Sequence, residues 1–251
     1  MRTISKETAM PTVIIVGGGI SGLITAIAVS KHVEKVTIIE RDKLTEGRLE
    51  RKGTPQGKHI HAFLRGGLDC MERIAPGTLD AMERSGAKAV DLTDDHLWFQ
   101  YGHYAPRYKS GVISYSQTRK NVENILLEKA KRIPTIHIEN ETVVEELLYD
   151  KGTNSIIGIK TKKADSGTRK THSADILVDA SGRGSRFPRY IEENTGIELK
   201  KETSTKIDVE YASRIYEAYE AEDIDFKGLI VYQSPPDIKK GGVLHTMKDG
   251  A

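Results

Sequence analysis

Thr12-Val-Ile-Ile-Val-Gly-Gly-Gly-Ile-Ser-Gly22 is the stretch that decides the fold. Thr12 to Val16 is short, apolar and β-branched, the pattern of a strand buried on both faces. Gly17, Gly19 and Gly22 complete a G-x-G-x-x-G series, and Leu23 to Val33 repeats apolar residues at helical spacing. Strand, glycine turn and helix in that order are the context a dinucleotide fingerprint requires. The first glycine permits a tight turn, the second lets the backbone approach a pyrophosphate, and the third lets helix and strand pack closely. The helix amino terminus, opened by Ile20 and Ser21, offers N–H groups and partial positive charge to phosphate.

Val36 to Ile39 reads as a second parallel strand ending at Glu40, 18 residues after Gly22. A carboxylate there accepts hydrogen bonds from both hydroxyls of an adenosine ribose. It repels a 2′-phosphate, which disfavours NADP at this position. A glycine-rich turn in an ordinary α/β protein is the competing reading, and it explains neither the second strand nor its acidic end.

Composition narrows the class. The 251 residues carry 38 Lys and Arg against 36 Asp and Glu, close to balance. No basic stripe with interleaved aromatics occurs, so nucleic acid is not indicated. One cysteine, Cys70, excludes an internal disulfide and fits a reducing cytoplasm. It lies among Leu68, Met71 and Ile74 in a helical pattern, which predicts a buried core thiol. No apolar run reaches the length of a membrane span, and Met1 to Met10 is too polar for a secretory signal.

A turn-rich loop follows, Arg51-Lys-Gly-Thr-Pro-Gln-Gly-Lys-His-Ile-His61. NAD needs no such loop, whereas a longer, bent cofactor must be gripped along its middle. His59 and His61 lack a carboxylate or cysteine at ligand spacing, so they read as polar loop residues rather than a metal site.

Here the chain resembles the FAD-dependent monooxygenases related to aromatic hydroxylases and squalene epoxidases. GGGISG, Glu40-Arg41-Asp42 and the Arg51 to His61 loop carry the resemblance. It implies that Glu40, followed by Arg41, binds the adenosine ribose and that Arg51 and Gln56 lie along the flavin. It further implies an arginine beside the cofactor at the start of a later helix, which is Arg119, with Gln117 a weaker candidate. Taken alone, Arg119 is a solvated side chain or, because it opposes the helix dipole, one that seeks an anion.

Farther along, His61 to Ile74 and Val122 to Ile133 have helical periodicity. Trp98, Phe99, Tyr101, Tyr104 and Tyr108 form either a sheet core or the wall of a pocket for a planar, apolar substrate. Thr135 to Glu139 reads as a third parallel strand. Three short strands between Thr142 and Ser173 form a β-meander, the crossover this flavoprotein family uses. Asp175 to Val178 is a further strand, running into Asp179-Ala-Ser-Gly-Arg-Gly-Ser185. The resemblance places Ala180 and Gly182 of that loop against FAD. The chain has Ser181-Gly182 where the hydroxylase branch more often has Asp-Gly, which counts against NADPH binding by this loop.

Lys206 to Tyr216, Gly228 to Gln233 and Gly242 to Met247 are expected to open an antiparallel sheet. The expected fold class is therefore α/β: a Rossmann-like FAD-binding fold with parallel sheet and β-meander, plus an incomplete antiparallel substrate-domain sheet. Residues 1–50 and 111–190 form the FAD-binding domain and 51–110 and 191–251 the partial substrate domain. The family's later Gly-Asp motif has no counterpart. The chain thus reads as the N-terminal portion of a flavoprotein, either a truncated reading frame or one half of a split gene whose second polypeptide supplies the rest, and is expected to be marginally stable and prone to associate.

The resemblance implies that NADPH reduces FAD and that oxygen from dioxygen reaches a small apolar or aromatic substrate. No catalytic acid or base is assigned. A halogenase is disfavoured because one tryptophan cannot supply W-x-W-x-I-P. An isoprenoid-type reductase, a non-catalytic fragment and an NAD-binding dehydrogenase domain stand as alternatives.

Overall fold

The computed structural model describes residues 10–44, 57, 59, 61–200, 205–216 and 224–246. The chain opens with β1 (Thr12–Val16), α1 (Ile20–Val29) and β2 (Lys35–Ile39). Next come β3 (His61–Phe63), α2 (Arg65–Ile74), α3 (Thr78–Arg84), β4 (Lys88–Asp91), β5 (His96–Gln100), β6 (His103–Tyr104) and β7 (Ile113–Gln117). Then follow α4 (Arg119–Lys131), β8 (Ile136–Glu139), β9 (Thr142–Asp150), β10 (Ser155–Lys163), β11 (Arg169–Ser173), β12 (Ile176–Asp179) and α5 (Phe187–Thr195). β13 (Gly228–Val231) and β14 (Gly242–His245) close the order. Two compact units result: Met1–Pro55 with Leu126–Val209, and Gln56–Ile125 with Glu210–Ala251.

The first unit is built on a four-stranded sheet of order β12-β1-β2-β8, parallel throughout. Such a sheet needs cover on both faces. α1 lies on one, with Leu23, Ala26 and Ile27 buried. On the other, Ile14, Val16 and Ile39 pack with Leu147 and Ile159 of the meander and Phe187 of α5. The meander, order β11-β10-β9, joins β8 to β12 as the sequence predicts.

The second unit holds two sheets. β3 and β4 flank β7 antiparallel. In the other, β13 pairs antiparallel with β14 and parallel with β5. Trp98 donates its indole N–H to the Leu92 carbonyl at 2.8 Å and stacks on Tyr232. Phe99 packs edge-on against Tyr104, while Tyr101 and Tyr108 stand exposed. The aromatic segment is thus partly sheet and partly surface.

Asp91, at the end of β4, organises the loop beyond it. Its carboxylate accepts from Ser110 Oγ at 2.6 Å, Gly111 N at 2.8 Å and Thr93 N at 3.1 Å. The Ser110 hydroxyl, helped by these N–H groups, holds the Asp91 carboxyl well below the usual carboxylate range.

Three expectations are corrected. Lys206 to Tyr216 forms no strand, and Ile207, Val209 and Tyr211 are exposed. Alternation specifies a face only when a neighbour strand and a covering layer exist, and no described strand pairs with this segment. Helical structure begins at Arg65, because His61–Phe63 is drawn into a sheet by β7. Cys70 is exposed. Helix α2 buries Leu68 and Met71, and at about 100° per residue Cys70 points away from that stripe. Its sulfur accepts a 3.4 Å contact from Arg73 Nη2.

Candidate functional site

The site is built at the carboxyl ends of β1, β2 and β12, where an open parallel sheet receives ligands. Gly17 leaves β1 at φ +110°, a conformation side chains resist, and its N–H bonds the Ile39 carbonyl at 2.8 Å. A Cβ at Gly17 would lie 2.2 Å from the Ala180 carbonyl oxygen. The glycine turn and the Asp179 to Ser185 loop are therefore in direct backbone contact. A Cβ at Gly22 would lie 1.8 Å from the Gly17 oxygen, so the helix packs against the turn only because Gly22 lacks a side chain.

Gly19 is the N-cap of α1, and the Leu23 N–H bonds its carbonyl at 2.9 Å. The first-turn N–H groups, those of Ile20, Ser21 and Gly22, have no intrahelical acceptor. No side chain caps this end and no acidic residue sits in the first turn. An anion is the chemical complement of such an end.

Glu40 is 3% exposed. One carboxylate oxygen accepts the Gly18 N–H at 2.6 Å and the other the Asp42 N–H at 2.8 Å. The acid that ends β2 thus fixes the middle glycine of the turn, a contact that sequence spacing does not display. Arg41 beside it is exposed.

The second loop is held differently. The Asp179 carboxylate accepts Ser181 N at 3.0 Å, Ser181 Oγ at 2.5 Å, and the Ser185 hydroxyl. Ala180 N bonds the Val16 carbonyl at 2.8 Å. Gly182 adopts φ +84° with open space around its missing Cβ. Asp179 is the organising residue that the sequence reading passed over. An aspartate followed two residues later by serine, with glycine next, was the available signal.

Arg51 and Gln56 lie outside the described residues. Arg119 is the first residue of α4, and its Nε lies 2.9 Å from Glu123 Oε1, a carboxylate 3% exposed. Its anionic partner here is thus a neighbour one turn along. Nearby, Gln117 is 2% exposed; its Oε1 accepts from Asn121 at 3.0 Å, and its Nε2 has no hydrogen-bond partner. A buried amide donor left in that state is uncommon and marks a place for an acceptor. His59 Nδ1 lies 3.0 Å from Ser213 Oγ, and His61 Nδ1 lies 2.8 Å from the His59 carbonyl. Among the described residues no three His, Cys, Asp or Glu side chains gather as metal ligands.

The sequence profile described as FAD dependent oxidoreductase matches residues 12–188, from the first strand to the second loop. The chain belongs to this FAD-dependent oxidoreductase family. FAD is the family's cofactor, and the side-chain-free cradle and the uncapped end of α1 fit its pyrophosphate.

Protein Rv3254 of Mycobacterium tuberculosis is 26% identical to this chain over 208 residues, covering 80% of this chain and 44% of the relative. Squalene monooxygenase 1,1 of Brassica napus is 30% identical over 186 residues, 72% of this chain and 34% of the relative. The solved p-nitrophenol 4-monooxygenase PnpA from Pseudomonas putida DLL-E4 superposes with a TM-score of 0.55 at 19% identity. It covers 72% of this chain, which spans 44% of that one, and demonstrates likeness of fold. The chain thus spans less than half the length of these relatives. No described helix is long and apolar enough to cross a membrane.

Proposed function

We propose that this chain supplies the FAD-binding part of a monooxygenase-type oxidoreductase. The observation that carries the reading is the backbone contact of Gly17 with Ala180 beside the uncapped end of α1. In this reading Gly17 and Gly22 shape the turn, Gly19 admits the pyrophosphate, and the pyrophosphate takes the N–H groups of Ile20 and Ser21. Glu40 holds the adenosine ribose, with Arg41 beside it. Arg51, Gln56 and Arg119 lie along the cofactor, and Ala180 and Gly182 cover it. Residues 1–50 and 111–190 form the FAD-binding domain, and 51–110 and 191–251 contribute to the substrate domain.

Bound FAD supplies two-electron redox chemistry and, when reduced, reactivity toward dioxygen. The chain's own residues bind and orient it. NADPH is the transient reductant, a small apolar or aromatic molecule the substrate, and the cytoplasm the compartment.

The test is flavin retention. Purified protein given FAD and desalted is expected to keep a flavin visible spectrum, while NAD titrated beside it binds far more weakly. Glu40→Ala strips the Gly18 N–H of its buried acceptor, a loss of about 1–3 kcal/mol, and is expected to lower retention. A colourless protein after desalting would falsify the cofactor assignment. NADPH-driven oxygen uptake separates a monooxygenase from an isoprenoid-type reductase.

A second reading, a fragment needing another polypeptide, is favoured by Val243 and Leu244. They are 51% and 54% exposed on β14, which among the described residues pairs with β13 alone. Apolar surface on an edge strand invites a partner. Flavin retention without oxygen uptake, restored by the polypeptide matching the rest of the relatives, is the outcome expected from this reading.

A further inference from the structure

The meander-facing side of the parallel sheet is not apolar along its whole length. Alternation puts Thr12, Ile14 and Val16 of β1 on that side, paired with Lys35, Thr37 and Ile39 of β2. Toward the carboxyl ends the pairs pack into the core described above. Toward the amino ends the packing opens into a cavity of about 300 Å³, whose lining includes Thr12, Ile14, Lys35, Thr37, His172 and Ser173. This is the opposite end of β1 and β2 from the glycine turn, and all six residues belong to the first unit.

Thr37 is the residue that core packing does not account for. It is 7% exposed, and its hydroxyl has no hydrogen-bond partner among the described residues. That hydroxyl is not among the fully buried atoms left without a partner: Thr37 lines the cavity, and its oxygen is open to whatever fills it. The Lys35 ammonium beside it has no carboxylate partner among the described residues. The neighbouring acids are already engaged. Asp175 accepts the Thr12 N–H at 2.7 Å and the Thr12 hydroxyl at 2.9 Å. Glu139 lies 3.7 Å from Lys170 and 3.9 Å from His172. His172 Nε2 is also 2.9 Å from Thr161 Oγ1.

An ammonium, a cavity-lining hydroxyl with no partner among the described residues and an apolar wall from Ile14 describe a ligand with two ends. We propose that this cavity binds a short-chain carboxylate. The carboxylate takes the Lys35 charge and the Thr37 and Ser173 hydroxyl protons, and its alkyl part lies on Ile14. A cavity this size is at the small end of ligand pockets. The apolar wall is what favours a carboxylate over inorganic phosphate. Nothing in the assignment depends on how FAD is held.

The experiment is an amide NMR titration of the full chain with FAD present, using sodium butyrate, butyramide and inorganic phosphate in turn. Butyrate is expected to shift the Thr12, Lys35, Thr37 and Ser173 amides saturably, with butyramide and phosphate at least about tenfold weaker. Thr37→Val, close to isosteric, and Lys35→Gln are each expected to weaken butyrate about tenfold, with flavin retention unchanged. Equal shifts from butyramide, tighter binding of phosphate, or unaltered affinity in Thr37→Val overturns the proposal. So does the absence of shifts with every probe, which would mean the cavity holds only water.

Discussion

Two loops meet at the carboxyl end of the parallel sheet, and they are made in opposite ways. The turn after β1 exists because side chains are missing: a Cβ at Gly17 or Gly22 would enter a neighbouring carbonyl. The loop after β12 exists because a side chain is present, the Asp179 carboxylate that gathers Ser181 and Ser185. The first is rigid through close packing, which punishes any added atom. The second is held by hydrogen bonds at an exposed position and tolerates change. A site that must bring two backbones together can thus fix one and let the other adjust.

Substitutions test that contrast. Gly22→Ala carries the largest expected effect, because its methyl would lie 1.8 Å from backbone that cannot move aside. A loss of more than about 3 kcal/mol is expected, read as failure to melt cooperatively. Gly17→Ala follows, at about 3 kcal/mol, from its positive φ together with the Ala180 contact. Asp179→Ala is expected to leave the melting temperature nearly unchanged and to weaken flavin retention about tenfold, as the loop loses its hydrogen bonds. Gly182→Ala should cost only about 1 kcal/mol, the strain of a positive φ with open space around it. Equal damage from Gly182→Ala and Gly22→Ala would erase the distinction between the loops.

Asp91 is the second unit's version of the carboxylate-built loop and sharpens the comparison through pH. Its folded pKa is lowered, first by the Ser110 hydroxyl. The stability it contributes is present above the ordinary carboxylate pKa of about 3.9 and is lost as pH falls through the depressed value. Asp91→Asn is expected to flatten the acid limb of a stability–pH curve below about pH 4. The same substitution at Glu40 tests a carboxylate that serves a glycine turn instead: Glu40→Gln is expected to reduce flavin retention more than it lowers the melting temperature.

Much of this was legible in the chain. The alternation of buried strand, glycine turn and helix located β1 and α1, and the spacing to Glu40 located the end of β2. The meander and the strand before Asp179 were also readable, because their short apolar runs are separated by glycine and aspartate turns. The α2 stripe misled about Cys70, since apolar neighbours in sequence do not specify the angle a side chain takes around the axis. Lys206 to Tyr216 misled because alternation describes only one partner of a sheet. For Arg119 the helix start is visible in the sequence, but the burial that makes Glu123, one turn later, its partner is not.

Local pattern alone determined β1, α1, β2, β8, the meander and the strand before Asp179, but not α5, and that Gly17 and Gly22 carry no side chain. Backbone conformation and burial follow from a few neighbouring residues, so one dimension suffices for them. Only the folded molecule decided that Gly17 meets Ala180, that Glu40 grips Gly18, and that Thr37 lines a cavity at the far end of the sheet. Those depend on strand order and register, which bring together positions far apart in the chain and are set by how the whole sheet is covered.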